Sequence, residues 1–219
     1  APWGKGRPGW HIECSAMSNQ YLGDHFDIHC GGVDNIFPHH ENEIAQSKCA
    51  TDQPFANHWL HSEHLLIEGG KMSKSLGNFY QIKDLVDLGY SPENVRYQLL
   101  SGHYRTRITF SADKKHEGDR VVNRIFDLKS RLFELGADSA AESQLPAVYN
   151  EFISKLDDDL DAPGALSLFF QWMRTQNSKF DKGLYNDRDI GESWEFLCVL
   201  ESIFGIVKID SNHIPSEVI

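Results

Sequence analysis

The apolar run FDIHC at residues 26–30, closed by Gly31 and Gly32 and followed by a helix-forming segment, limits the fold more than any other stretch of this chain. A compact β-forming run that ends in paired glycines and leads at once into a helix is the local pattern of a parallel-sheet nucleotide fold. The spacing predicts a buried strand there. It also predicts a short helix before it in HIECSAMSNQYLG, ended by Gly23, and a helix after it that starts at Pro38, a residue suited to a first helical position. Residues 55–67 read as a further strand with flanking turns, which delivers the chain to KMSKS at residues 71–75.

Beyond that point QIKDLVDLGY and SPENVRYQLLSGHY have helical periodicity, and Ser91 can cap the second with Pro92 in the first turn. From about residue 111 strand patterns cease. The chain reads as amphipathic helices over residues 112–135, 145–156, 164–179 and 189–204, with GADSAAESQ linking the first two. A domain boundary is therefore expected near residue 112, with an α/β unit before it and an all-α bundle after it. A hydrophobic share of 40% is enough to build cores for both.

The formal net charge of −11 argues against a protein that holds nucleic acid over its whole surface. A local basic stretch nevertheless stands out, with Lys114, Lys115, Arg120, Arg124, Lys129 and Arg131 crowded together. The cysteines Cys14, Cys30, Cys49 and Cys198 lack the paired spacing of a disulfide scaffold. No stretch is long and apolar enough to span a membrane, and the amino end lacks a charged-then-apolar leader. The expectation is a soluble cytoplasmic protein with reduced thiols. Its opening, APWGKGRPGW, has no initiator Met and reads like the middle of a longer protein.

Three groups of residues carry chemistry. In KMSKS, Lys71 and Lys74 can put two ammonium charges on one polyphosphate, Ser73 and Ser75 add hydroxyl donors, and Gly69, Gly70 and Gly77 suit a mobile phosphate-binding loop. Cys14, His39 and Glu43 offer a thiolate, an imidazole and a carboxylate, which is zinc-ligand chemistry. His39 and Glu43 are four apart and share a helix face, whereas His40 is expected on a different face and as a poorer ligand candidate. Three protein ligands match an open site better than a closed structural one. Trp10, four residues before Cys14, lies near that site if its segment is helical, and Cys30 could approach Cys14. Finally, Gly31 and Gly32 allow backbone to approach a ligand, and Asp34 just past the strand can accept from ribose hydroxyls.

GRPGWHIECSAMS, FDIHCGGVDNIFPHHENEIAQS, KMSKSLGNF, LLSGHYR and LDDDLDAPGAL, in this order and at these spacings, resemble the cysteinyl-tRNA synthetases, which are class I aminoacyl-tRNA synthetases. The resemblance covers residues 1 to about 207. It implies the second half of a Rossmann-type nucleotide-binding catalytic domain over residues 1–111, an all-α helical bundle along tRNA over residues 112–207, and a linker from residue 208. It further implies ATP-dependent activation of L-cysteine, with Mg²⁺ accompanying ATP, and transfer to tRNA(Cys). Cys14, His39 and Glu43 match zinc ligands of that family, and Trp10 matches the aromatic beside the bound amino acid. Gly31, Gly32 and Asp34 match the adenylate-side loop, while Lys74, supported by Lys71, matches the lysine that stabilises pyrophosphate charge. Lys114, Lys115, Arg120 and Arg124 are candidate tRNA phosphate contacts, and a monomer is expected.

The sequence departs from the family pattern in three places. His61-Ser-Glu-His64 does not fit the HIGH motif, so the family's first catalytic half and its fourth zinc ligand have no counterpart, and neither has its carboxyl-terminal domain. Cys30 stands where glycine is usual. The expectation is an internal piece of a longer synthetase, inactive by itself. Two other functions share these motifs: a ligase that passes activated cysteine to an amino sugar in mycothiol synthesis, and a non-catalytic module that binds zinc or tRNA.

Overall fold

The structure is a computed structural model that describes residues 2, 4–73, 77–137 and 144–209. Lys74 and Ser75, and most of the expected linker, lie outside the described residues. The chain forms two compact units, Ala1–His64 with Tyr104–Arg107, and Leu65–His103 with Ile108–Ile219. The change of composition near residue 112 falls inside the second unit. It marks where strands give way to helices there, while the two units divide at residues 64 and 65.

The first unit holds α1 (Trp10–Leu22), β1 (Phe26–Gly32), α2 (Glu41–Thr51) and β2 (Ala56–Ser62). Gly23 ends α1 with φ of 89°, a conformation that favours glycine, and its N–H donates to the Asn19 carbonyl. β1 and β2 pair in parallel from Phe26 with Ala56 to Gly32 with Ser62. The strand expected at residues 26–30 therefore exists and runs on through both glycines, but it is not buried: Ile28 is 58% exposed and Cys30 is also exposed. The helix expected from Pro38 begins at Glu41 instead, after a π-type turn over Ile36–His40. Phe37 in that turn has extended backbone angles, which no continuous α-helix can include.

The second unit starts with a small sheet in which β3 (Leu65–Ile67) lies between β4 (Gly70–Lys71) and β5 (Ile108–Phe110), antiparallel to the former and parallel to the latter. The single strand expected over residues 55–67 is thus two strands in different sheets. Polar Glu63 and His64 separate them, and the Glu63 N–H donates to the Tyr104 carbonyl at 2.8 Å. Next come α3 (Ile82–Asp87) and α4 (Pro92–Leu100), where Ser91 accepts from the Asn94 N–H as its spacing predicts. The long helices are α5 (Lys115–Glu134), α6 (Val148–Asp157), α7 (Ala162–Asp181) and α8 (Asp187–Phe204), each within a few residues of its expected span. α8 starts early because Asn186 and Asp189 form a reciprocal capping box. Their apolar faces meet around Phe152, Phe169 and Phe196, whose rings pack edge to face at 5.1–5.3 Å.

Candidate functional site

In the first unit, the turn before α2 and the first turn of α2 place His39, His40 and Glu43 against α1 and β1. The carboxylate of Glu43 is fully buried. Two groups of ligand atoms converge on it, Cys14 with His39 and Glu43, and His29 with His40 and Glu43; within each group the atoms lie within 4.8 Å of one another. The first is the trio expected from the sequence. The second is a correction, because His40 was expected on another face. His40 stands three residues before Glu43, and its own backbone is already αR, so it is a same-face neighbour just as His39 is at four residues: the His40 Nε2 comes within 3.9 Å of the Glu43 Oε2, almost as near as the His39 Nε2 at 3.8 Å.

One carboxylate oxygen is engaged and the other is not. His29 Nε2 lies 3.2 Å from Glu43 Oε2, whereas the buried Oε1 has no hydrogen-bond partner. A buried carboxylate oxygen without a partner is costly, and a soft-to-borderline cation held by thiolate, imidazole and carboxylate would satisfy it. The donor set therefore fits zinc. Burial pushes the Glu43 carboxyl up, with His39 and His11 pulling the other way. Burial likewise raises the Cys14 thiol, helped by Glu43 and Glu13. Zinc held here would take Cys14 as the thiolate, so its binding would release the thiol proton.

The imidazoles around the carboxylate are locked to one another. His11 and His39 bring their Nδ1 atoms to 2.8 Å, and Trp10 stacks on His39 with ring centroids 4.1 Å apart and planes 7° from parallel. Trp10 remains 57% exposed, so the outer face of its ring is available to a ligand. His40 Nδ1 lies 2.8 Å from His61 Nε2. Burial, followed by the neighbouring histidines His29, His61 and His39, pulls the His40 pKa down to about 4.

The paired glycines have a packing reason. A Cβ on Gly31 would stand 2.6 Å from the His40 ring, and one on Gly32 would stand 2.5 Å from the Asp34 carboxylate. Their lack of side chains first lets His40 and Asp34 fold back onto β1. Asp34 itself sits in a short 3-10 turn directly after that strand. Cys30 joins neither ligand group, and Cys14 and Cys30 are both free thiols.

In the second unit, Lys71 is exposed and pairs with Leu66 at the end of β4, so the first residue of KMSKS belongs to a strand and not to the expected loop. Lys74 lies outside the described residues. Of the basic stretch, Lys115 forms an ion pair with Asp119 at 2.9 Å, Arg131 pairs with Asp181 at 2.7 Å, and Lys129 donates to the Lys208 carbonyl. Lys114, Arg120 and Arg124 are exposed.

Comparison with known proteins gives this geometry a context. The family model described as the class I (C) tRNA synthetase catalytic domain matches residues 1–119, more than half of the chain. The chain belongs to this family. Among curated proteins, it is 47% identical to the cysteine--tRNA ligase of Brachyspira hyodysenteriae over 195 residues, covering 86% of this chain and 41% of that one. It is 42% identical to the cysteine--tRNA ligase of Chlamydia abortus over 224 residues, covering 100% of this chain and 47% of that one. The chain thus spans about half the length of the curated relatives it matches. Two solved structures share its fold at low identity. The LeuRS–tRNA–LeuAMS ternary complex of Agrobacterium radiobacter matches with a TM-score of 0.69 at 17% identity, covering 88% of this chain and 26% of that one. Mycobacterium tuberculosis methionyl-tRNA synthetase bound by methionyl-adenylate matches at 0.61 and 15%, covering 88% and 42%. The α/β class I synthetase fold implied by the resemblance is therefore the observed one.

Proposed function

We propose that this chain is the part of a cysteine--tRNA ligase that selects cysteine and contributes to its activation by ATP. The observation that carries this reading is the convergence of Cys14 and His39 on the buried, half-satisfied carboxylate of Glu43, with Trp10 stacked over His39. These three residues would hold zinc. Bound there, the ion supplies a soft centre with an open position for the thiolate of cysteine, for which the hydroxyl of serine is a poor match. Trp10 would bound the amino-acid pocket with its open ring face. Gly31, Gly32 and Asp34 would meet the adenosine side of the adenylate, and Lys71 and Lys74 the phosphates of Mg²⁺-ATP. His29 keeps one carboxylate oxygen of Glu43 engaged, which orients the other.

On this reading residues 1–111 belong to the catalytic domain and residues 112–207 form the helical part that faces tRNA(Cys), with residue 208 onward as linker. Lys114, Arg120 and Arg124 would make phosphate contacts, whereas Lys115 is occupied by Asp119. Among the described residues no helix is long and apolar enough to cross a membrane, and the proposed setting is the cytoplasm, with the protein as a monomer.

The deciding experiment is ATP–pyrophosphate exchange by the full-length protein that carries this chain. Exchange with cysteine, discrimination against serine of at least about 10⁴-fold, and joint loss of zinc and exchange in Cys14→Ser are expected. Undiminished exchange after complete zinc removal would overturn the metal assignment. Transfer of the cysteinyl group to an amino sugar and not to tRNA would replace this reading with that of a mycothiol-type ligase.

A further inference from the structure

Asn78 closes the KMSKSLGN run but was given no role from the sequence, and its amide reaches the first and third residues of KMSKS. Its Oδ1 accepts from the Ser73 N–H at 2.8 Å, and its Nδ2 donates to the Lys71 carbonyl at 3.1 Å, with the Ile67 carbonyl at 3.5 Å. Ile67 is the last residue of β3 and Lys71 the last of β4, so one side chain ties the hairpin to the chain that returns from the loop. A primary amide offers an acceptor oxygen and two N–H donors in one plane, which suits it to accept from a backbone N–H and donate to two carbonyls at once. Aspartate lacks the donors, and an aliphatic residue lacks both.

The surroundings agree with this role. Ile67 is buried and packs with Leu85, Tyr90, Val95 and Phe110, so the β3 end of the tie is anchored in a core. A Cβ on Gly70 would already lie 3.9 Å from the Asn78 Nδ2 and 3.7 Å from the Ile67 carbonyl oxygen, which shows how closely the amide sits over the hairpin. Lys71 is exposed, and its position rests on two β4–β3 register pairs. So short a ladder frays without a further tie.

We propose that Asn78 is a positioning residue that fixes the backbone of Lys71 and Ser73, and through it the Lys71 ammonium, for its phosphate ligand. This rests on the phosphate role proposed for Lys71, so the test has one arm that does not require catalysis. In the full-length protein, tryptic cleavage after Lys71 reports directly on how firmly the hairpin end is held. Asn78→Asp and Asn78→Ala are expected to raise the cleavage rate about tenfold or more while thermal midpoint and zinc content stay as in the parent. Unchanged cleavage in both variants overturns the proposal whatever the activity. The second arm is a mutant cycle in ATP–pyrophosphate exchange. Asn78→Ala should lower kcat about 10- to 100-fold with KM for cysteine unaltered, and should add little when Lys71 is already alanine. Fully additive losses would show that Asn78 does not act through Lys71. Faster cleavage with no cysteine-dependent exchange in the parent itself would leave the tie standing and remove the functional reading above.

Discussion

The two units of this molecule bury opposite kinds of side chain. Among the described residues of the first unit, the buried ones are Ser15, His39, His40, Glu43, Ser47 and Phe55, and only the last is hydrophobic. In the second, Phe152, Phe169, Phe196, Met173, Leu197 and Leu200 are all sealed from solvent in one continuous core. Interiors of the second kind are where folding free energy comes from, whereas buried histidines and a buried carboxylate cost free energy unless something satisfies them. The interior of the first unit is that of the proposed ligand set, and the interior of the second is an apolar core of its own. That division gives each unit a distinct response to mutation.

The largest expected effect lies in the scaffold. Phe196 contacts Phe152, Phe169 and Trp172 at centroid distances of 4.9–5.3 Å, so Phe196→Ala should lower stability by about 3–5 kcal/mol in chemical denaturation. A loss below about 1 kcal/mol would break the comparison. Next, Gly31→Ala should push the added methyl into the His40 ring and disturb the carboxylate cluster. We expect zinc affinity to fall about 10- to 100-fold in chelator competition, with the melting of the helical unit unaltered.

A smaller effect sharpens the account of α8. Asp189 is held below the usual carboxylate range: burial pushes it up, but Lys179, the Asn186 N–H and Arg188 outweigh this. Because its folded pKa is depressed, its contribution is complete above about pH 4, the ordinary value, and is lost as pH falls through the folded value. Asp189→Asn should therefore cost about 1 kcal/mol at pH 7, with the gap to the parent narrowing as pH falls below about 4. A gap that widens in acid would contradict the assignment. The smallest expected effect is the most telling for the first unit. Glu43→Gln should abolish stoichiometric zinc binding yet leave the metal-free thermal midpoint unchanged or slightly higher, because it removes a buried carboxyl that lacks a full set of partners. A large drop would mean that Glu43 supports the fold as well as the ligand.

The sequence by itself determined what local periodicity and residue chemistry can carry. The helices of the bundle follow from their apolar spacing, and α4 starts where Ser91 and Pro92 say it must. The convergence of Cys14, His39 and Glu43 was legible in part: two of them lie one helical turn apart, while Cys14 was joined to them by its ligand chemistry and by the family resemblance. Burial, partners and register were decided only by the tertiary structure. Residues 55–67 look like one strand because apolar content says nothing of which ladder a residue joins, and only the pairing of β2 with β1 and of β3 with β5 separates them. His40 was placed on the wrong face because the four-residue spacing of His39 and Glu43 is not the only same-face spacing: the three-residue spacing of His40 and Glu43 makes them helix neighbours too. His61 and Asn78 lie inside stretches read from the sequence yet were given no role, since their partners are set by folding: the His40 ring for the one, the Ile67 and Lys71 carbonyls for the other. Local spacing encodes which groups are available, and long-range packing selects the atoms they face.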